Sequence, residues 1–321
     1  MSNNTLIILG NGFDVALDYP TKYSDFYQKS KELRALANNG NSLCKHIINH
    51  ISDGLWSDLE SGLHKYSLSL TQKYGTGDKV QAKKFQDEFE QLRAALFNYL
   101  DSVSNMQKDV SKQYPAIGLN VEWSKIENSV FLTFNYSTTT SATIAMNTRR
   151  IFNNDDSINP NVFIHQHGSI FNTQKGKNNS TNSIVLGIDE KTQKVEPLHS
   201  FLYKTNQAIF DIFHTLSTIR NASNIILFGC SCGDSDALYL QTIFDPGNKG
   251  KRYIVYYFGD ENLYKLKTNI GKYCGDLNSF STMNKIDWLN IKDNNVREKT
   301  KQIVNDINSG YYVTQVSQMY T

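Results

Sequence analysis

The chain has 321 residues, with 33 basic and 31 acidic side chains and a formal net charge of only +2. No long basic run of the kind that tracks a phosphate backbone is present, which argues against nucleic acid as the main partner. Hydrophobic residues at 39% supply a sizeable core, and no stretch approaches the roughly 20 apolar residues that span a bilayer, so no membrane partner is expected.

The first predicted element is Leu6-Ile7-Ile8-Leu9, four apolar residues without alternation, as in a strand buried on both faces of a parallel sheet. It breaks into Gly10-Asn11-Gly12-Phe13-Asp14. Two glycines after such a strand allow a sharp turn and a close backbone approach, and a following helix would aim its amides at a phosphate. The dinucleotide fingerprint has a third glycine where this chain has Val15, so a tight turn without ligand is the competing reading. Upstream, Met1 to Thr5 carry no basic flank, unlike a secretion signal, and a cytoplasmic protein is expected.

Residues from about Phe26 to Val110 read as helical. Phe85, Phe89, Leu92, Leu96, Tyr99 and Val103 share one helix face at spacings of three and four. Strand character returns at Ser129–Phe134, Asn161–His165, Ser183–Leu186, Asn224–Phe228 and Tyr253–Phe258. A helix is expected between the third and fourth of these, burying Phe201, Ala208, Ile209, Ile212, Phe213, Leu216 and Ile219. The pattern predicts a single doubly wound α/β domain over 1–321 with a mostly parallel sheet and a helical insertion at about 26–125.

Polar groups recur just past these strands: Gly10-Asn11-Gly12, Asn135, His167, Asp189, Ser231, Asp234 and Asp236. Parallel strands would gather them on one rim, where ligands bind in open α/β sheets. Cys44, Cys230, Cys232 and Cys274 lack paired spacing, so neither a disulfide framework nor a zinc site is expected.

These segments, with Thr21–Phe26, Trp56–Glu60, Phe134–Thr138, His167–Ile170, Leu186–Asp189 and Gly229–Asp236, resemble the phage abortive-infection AbiH family, related to the sirtuin-like NAD-binding fold. The resemblance implies a sirtuin-like variant of the Rossmann fold in a phage-defence protein, with NAD as ligand or substrate. It places catalysis on Asn135 and His167, with phosphate and ribose contacts on Gly10, Asn11, Gly12, Phe13, Asp14, Gly168, Gly229, Ser231 and Asp236. Deacylase-type zinc cysteines are missing, which leaves NAD hydrolysis or binding and no metal. Ser137 stands where an acid often closes the Asn-containing motif.

Breaking the nicotinamide bond generates an oxocarbenium-like sugar. A histidine with an ordinary pKa of about 6.5 suits the base, and an asparagine orients water and a ribose hydroxyl. His165 is expected to face the core and Glu60 to face water. One of Asp234 and Asp236 is expected to cap the helix near Ala237. The competing functions are a nucleotide-sensing module without chemistry and a two-metal nuclease using Asp14, Asp189, Asp234 and Asp236. The partners expected are a dinucleotide, with a phage-derived trigger and self-association left open.

Overall fold

The computed structural model describes residues 4–50, 59–104, 115–137, 161–167, 184–207 and 212–310. Its centre is a six-stranded, all-parallel sheet in the order β3-β2-β1-β4-β5-β6. The strands are β1 (Thr5–Leu9), β2 (Ser129–Thr133), β3 (Asn161–His165), β4 (Asn224–Phe228), β5 (Arg252–Tyr257) and β6 (Lys285–Asn290).

The apolar run of β1 is continuous because both of its faces are covered. Leu6 and Ile8 join one core cluster while Ile7 and Leu9 join another. Strands β4 and β5 split the same way, with Ile225, Leu227, Tyr253 and Val255 on one side and Ile226, Phe228, Ile254 and Tyr256 on the other. Period-two side chains alternate between faces, so only a sheet covered twice needs such strands.

One face is covered by α9 (Ile212–Asn221), α10 (Ala237–Ile243), α11 (Asp260–Cys274) and α12 (Leu277–Met283). The other carries α1 (Gly12–Ala16), α7 (Pro115–Trp123) and α13 (Val296–Asn308). On that side the Trp123 indole N–H donates to Tyr256 Oη at 3.3 Å, in a pocket with Phe228.

The helical block contains α2 (Tyr23–Lys29), α3 (Lys31–Asn38), α4 (Ser42–His50), α5 (Leu59–Tyr74) and α6 (Lys79–Ser104). All six α6 residues expected on one face are buried, in a third core. The expected insertion of about 26–125 included α7, but Ala116, Leu119 and Trp123 pack on the sheet and not in this block.

Three expectations are corrected. The strand expected at Ser183–Leu186 does not join the sheet: its described part, from Ile184, contributes no strand. Ile184, Leu186 and Ile188 instead enter the core of the helical block, and Ile188 bridges Tyr203. The helix expected after it does not include Phe201, which lies in a 3₁₀ turn, Pro197–Leu202; α-helix is described at α8 (Lys204–Gln207) and at α9 (Ile212–Asn221). Helix α9 turns Thr215 and Ile219 inward, so Phe213, about 200° from Thr215 around the axis, is 84% exposed. Finally, β6 was missed, since Lys-Ile-Asp-Trp-Leu-Asn is an edge strand with only Leu289 fully buried. Ala208 and Ile209 lie outside the described residues.

The order of the strands makes the gap between β1 and β4 the switch point of the sheet, where connections leave in opposite directions. The loops after both strands meet there backbone to backbone. The Gly12 N–H donates to the Gly229 carbonyl at 2.9 Å, and the Gly10 N–H to Phe228 at 2.9 Å. A Cβ on Gly10 would lie 2.5 Å from the Gly229 oxygen, and one on Gly229 2.5 Å from the Phe13 nitrogen. Gly229 also has φ +68°, which side-chain-bearing residues rarely adopt. Gly229→Ala is therefore expected to lower unfolding free energy by at least ~2 kcal/mol, read from urea denaturation. A change below ~0.5 kcal/mol would refute the tight-approach account.

Candidate functional site

Strands β1, β2, β3 and β4 end nearly level, with Leu9 opposite Thr133 and Phe228, and Thr133 opposite His165. The residues that follow therefore share one rim. They open onto a cleft of about 810 Å³, lined by Gly10, Asn11, Gly12 and Asp14 after β1 and by Asn135 to Ser137 after β2. His167 after β3, and Gly229, Ser231 and Asp236 after β4, complete that side. This volume falls in the range of small-molecule and cofactor sites. The helical block forms the facing wall, including Tyr23, Tyr27, Glu60 and Leu100.

Asn135 and His167 thus face one cavity. Asn135 is buried, and its N–H donates to Thr133 Oγ1 at 3.0 Å, which holds the turn after β2. Asp14 is buried as well and accepts from Ser137 Oγ at 2.6 Å. An acid at the end of β2 is thus unnecessary for bringing a carboxylate to this point; β1's own loop delivers it. Asn11 is tied to Thr21, accepting from its hydroxyl at 2.6 Å.

Two assignments change. Phe13 does not line the cleft; its ring is fully buried, edge-on to Phe228 at 5.8 Å. The glycine loop was expected to spend its amides on phosphate, yet Gly10, Gly12 and Phe13 all donate within the protein. The glycines are there because two backbones approach each other. Gly168 lies outside the described residues, as does the side chain of His165.

Behind Asn135 stands a four-member ionic network drawn from four segments. His167 Nε2 lies 3.0 Å from Asp236 Oδ1. Lys204 Nζ lies 2.9 Å from Glu60 Oε1, 3.3 Å from Asp236 Oδ1 and 3.4 Å from His167 Nε2, and donates to the Ser235 carbonyl at 2.8 Å. Glu60, expected in water, is instead buried. Lys204 had no recognisable motif and was missed; its position comes from a tertiary contact. Gly187 lies so close to the Leu202 carbonyl that a Cβ would sit 2.0 Å from it, and the Lys204 N–H donates to Ile188 at 3.1 Å.

Asp236 occupies the position before α10 without capping it. Asp189 does so from outside, accepting from the Leu238 N–H at 2.9 Å. Asp236 is thereby released for His167 and Lys204. Asp234 is exposed and pairs with Lys272 at 3.4 Å, so the four acids of a two-metal site do not converge. Among the described residues no group of three or more His, Cys, Asp or Glu is placed to hold a metal.

Burial opposes the charge on Lys204, but the Glu60 and Asp236 carboxylates outweigh it and hold the ammonium protonated. Burial likewise opposes ionisation of Asp236, and Lys204 and His167 reverse this, keeping it well below the usual carboxylate range. His167 is lowered, by burial first and by Lys204 second, against the pull of Asp236 and a backbone bond to Phe134. It is neutral at cell pH. Burial pushes the Cys230 thiol well up and the Cys232 thiol up to about 12, so neither cysteine is a ready nucleophile.

The sheet order and the cleft at its switch point define a doubly wound α/β protein with a polar, ionised pocket at the carboxyl ends of its strands. Over residues 6–258 the chain matches the bacteriophage abortive infection AbiH family, and it belongs to that family. A search of curated proteins gave no match. The matched region ends as β5 does, yet β6 and α13 beyond it complete the sheet and its cover. No helix among the described residues is long and apolar enough to cross a membrane.

The pKa directions set the pH response. His167 is lowered in the folded state, so the unfolded chain binds more protons in the window below about pH 6.5, and stability is lost as pH falls through it. Asp236 is also lowered, so its contribution is present above about pH 4 and is lost only at lower pH. The urea midpoint is expected to fall from pH 7 to 5. In His167→Gln that slope should flatten while the loss below pH 4 remains; an unchanged slope would show that His167 is not the group responsible. Lys204→Met removes the cation that Glu60 and Asp236 share and is expected to cost roughly 3 kcal/mol or more. The same urea titration at pH 7 measures it.

Proposed function

We propose that this AbiH-family protein acts in phage abortive infection by binding NAD in the cleft and hydrolysing it to nicotinamide and ADP-ribose. The observation that carries this reading is the distribution of charge. Three carboxylates, Asp14, Glu60 and Asp236, line the inner part of the cleft, and the last two pair with one ammonium, Lys204, set beside it. At its mouth are Lys22 and Lys265, both exposed and with no carboxylate partner among the described residues. An acidic floor under a basic mouth complements a ligand with a cationic ring at one end and a pyrophosphate in the middle. The same floor favours the positive charge that develops on the ribose as the glycosidic bond breaks.

In this reading Asn135, whose side-chain amide can both donate and accept, orients the ribose hydroxyl and the attacking water. His167, neutral and set on Asp236, receives the proton. Asp14 and Ser137 form one unit toward the ribose, and Ser231 with Lys265 faces the phosphates. His167→Ala is expected to lower turnover by ~10²–10⁴.

One observation favours a second reading, in which the protein senses the nucleotide without turning it over. His167 is already engaged by Asp236, Lys204 and the Phe134 backbone, which suits a held residue as well as a reacting one. Following intracellular NAD through infection, in cells carrying the wild-type protein or Asn135→Ala, separates the two. Depletion in the wild type that is lost in the variant is the expected result. NAD that stays level in both, with calorimetry still detecting binding, would replace hydrolysis by sensing.

A further inference from the structure

The Glu60–Lys204 pair joins the helical block to the strand-end site, and beyond its charge neither residue has been given a role in the reading above. We propose that Glu60 is a positioning residue that acts through Lys204 to set which ring nitrogen of His167 carries the proton. The inference deepens the cleft reading, since it concerns the group proposed to receive a proton there.

An ammonium has three N–H groups, and three oxygen acceptors surround Lys204, with His167 Nε2 beyond them. The two nearest are the Ser235 carbonyl at 2.8 Å and Glu60 at 2.9 Å. Asp236 at 3.3 Å takes what remains, and His167 Nε2 lies 3.4 Å away. Lys204 is thus drawn toward Glu60, and Asp236 is left as the closer neighbour of His167 Nε2, at 3.0 Å. Asp236 and the Phe134 backbone that bonds the ring both only accept, but the carboxylate bears a full charge, so Nε2 carries the one proton of the neutral ring. Remove the negative charge from Glu60 and the ammonium has one strong carboxylate left, Asp236, beside the same nitrogen. Nε2 then faces a donor, and the stable arrangement has Nε2 as acceptor. The proton leaves Nε2, an equivalent one is taken up at Nδ1, and the imidazole stays neutral.

Glu60 is held for this task. It sits in the first turn of α5, between Leu59 and Leu63, two side chains fully buried in the block's core. Other titratable groups around the ring do not compete for Nε2. Tyr136, 5.9 Å away between ring centroids, is kept protonated by burial and by the Glu60 charge. Tyr239 is kept protonated by burial and by Asp236. Asp189 is committed to the Lys191 and Leu238 amides. Glu190 and Lys191 border a small adjoining cavity that also touches His167.

The test is ¹⁵N-histidine NMR on the full chain, without ligand. The wild type is expected to show His167 protonated at Nε2, and Glu60→Gln to show it protonated at Nδ1. Glu60→Asp keeps the charge but withdraws it by one methylene, and is expected to give a mixture. Lys204→Met removes the competing donor, so Nε2–H should persist and the His167 pKa should rise. A Glu60→Gln spectrum like the wild type, or a wild type already bare at Nε2, overturns the proposal. If Glu60→Gln does not fold, a wild-type spectrum for Glu60→Asp overturns it equally. The spectra decide the role of Glu60 whether or not NAD is consumed, so failure of the hydrolysis reading and failure of this one are distinguishable. Where turnover is measured, Glu60→Gln is expected to lower kcat by about tenfold or more.

Discussion

Strand β1 is hydrogen-bonded on both sides and packed on both faces, and its carboxyl end fixes where the polar chemistry of this protein gathers. Its partners β2 and β4 run parallel to it in register, so three strands finish at one level. Backbone emerging from such a sheet must turn away at that level, and the turns carry the groups that cannot be buried in the sheet. The close approach of Gly10 and Gly12 to Gly229 holds two of those turns together. Without it, the loops that bear Asp14 and Asp236 would lose their common anchor.

The ionic network extends this logic outward. Burying one carboxylate or one ammonium costs several kcal/mol, and the cost is offset only if opposite charges and hydrogen bonds meet in good geometry. Glu60, Lys204, Asp236 and His167 meet that condition together. Each depends on a different segment: a helix of the insertion, the short α8, the loop after β4 and the end of β3. The network therefore works as a fastener between the sheet and the helical block. It also places an uneven charge in the cleft, with more acid than base at the floor and lysines at the mouth. An interaction that stabilises the fold and an electrostatic preference for a ligand arise from the same atoms.

Asp189 shows how such sites are assembled. By capping α10 from a distant segment it supplies what the local Asp236 would otherwise supply. Asp14 and Ser137 show the reverse exchange, in which a carboxylate reaches the end of β2 from the loop of β1. In both cases a chemical group matters by its location in space and not by which strand bears it.

Much of the sheet was legible in the chain because a strand buried on both faces has to be continuously apolar, and β1, β2, β4 and β5 are. The amphipathic α6 was legible for the analogous reason at a period of 3.6. Strand β6 escaped because an edge strand with one partner is free to be polar, and Ile184–Leu186 misled because a core outside the sheet demands the same residues. Within the site, residues just past strand ends could be found from the pattern. Glu60 and Lys204 could not, since no local rule distinguishes a charged residue on a helix in water from one turned toward a distant countercharge. What the amino-acid order determined alone was local: which segments are apolar on both sides and where glycine permits a turn. Which charges meet was decided only by the tertiary structure, because Coulomb attraction depends on distance in space and carries no trace in the spacing along the chain.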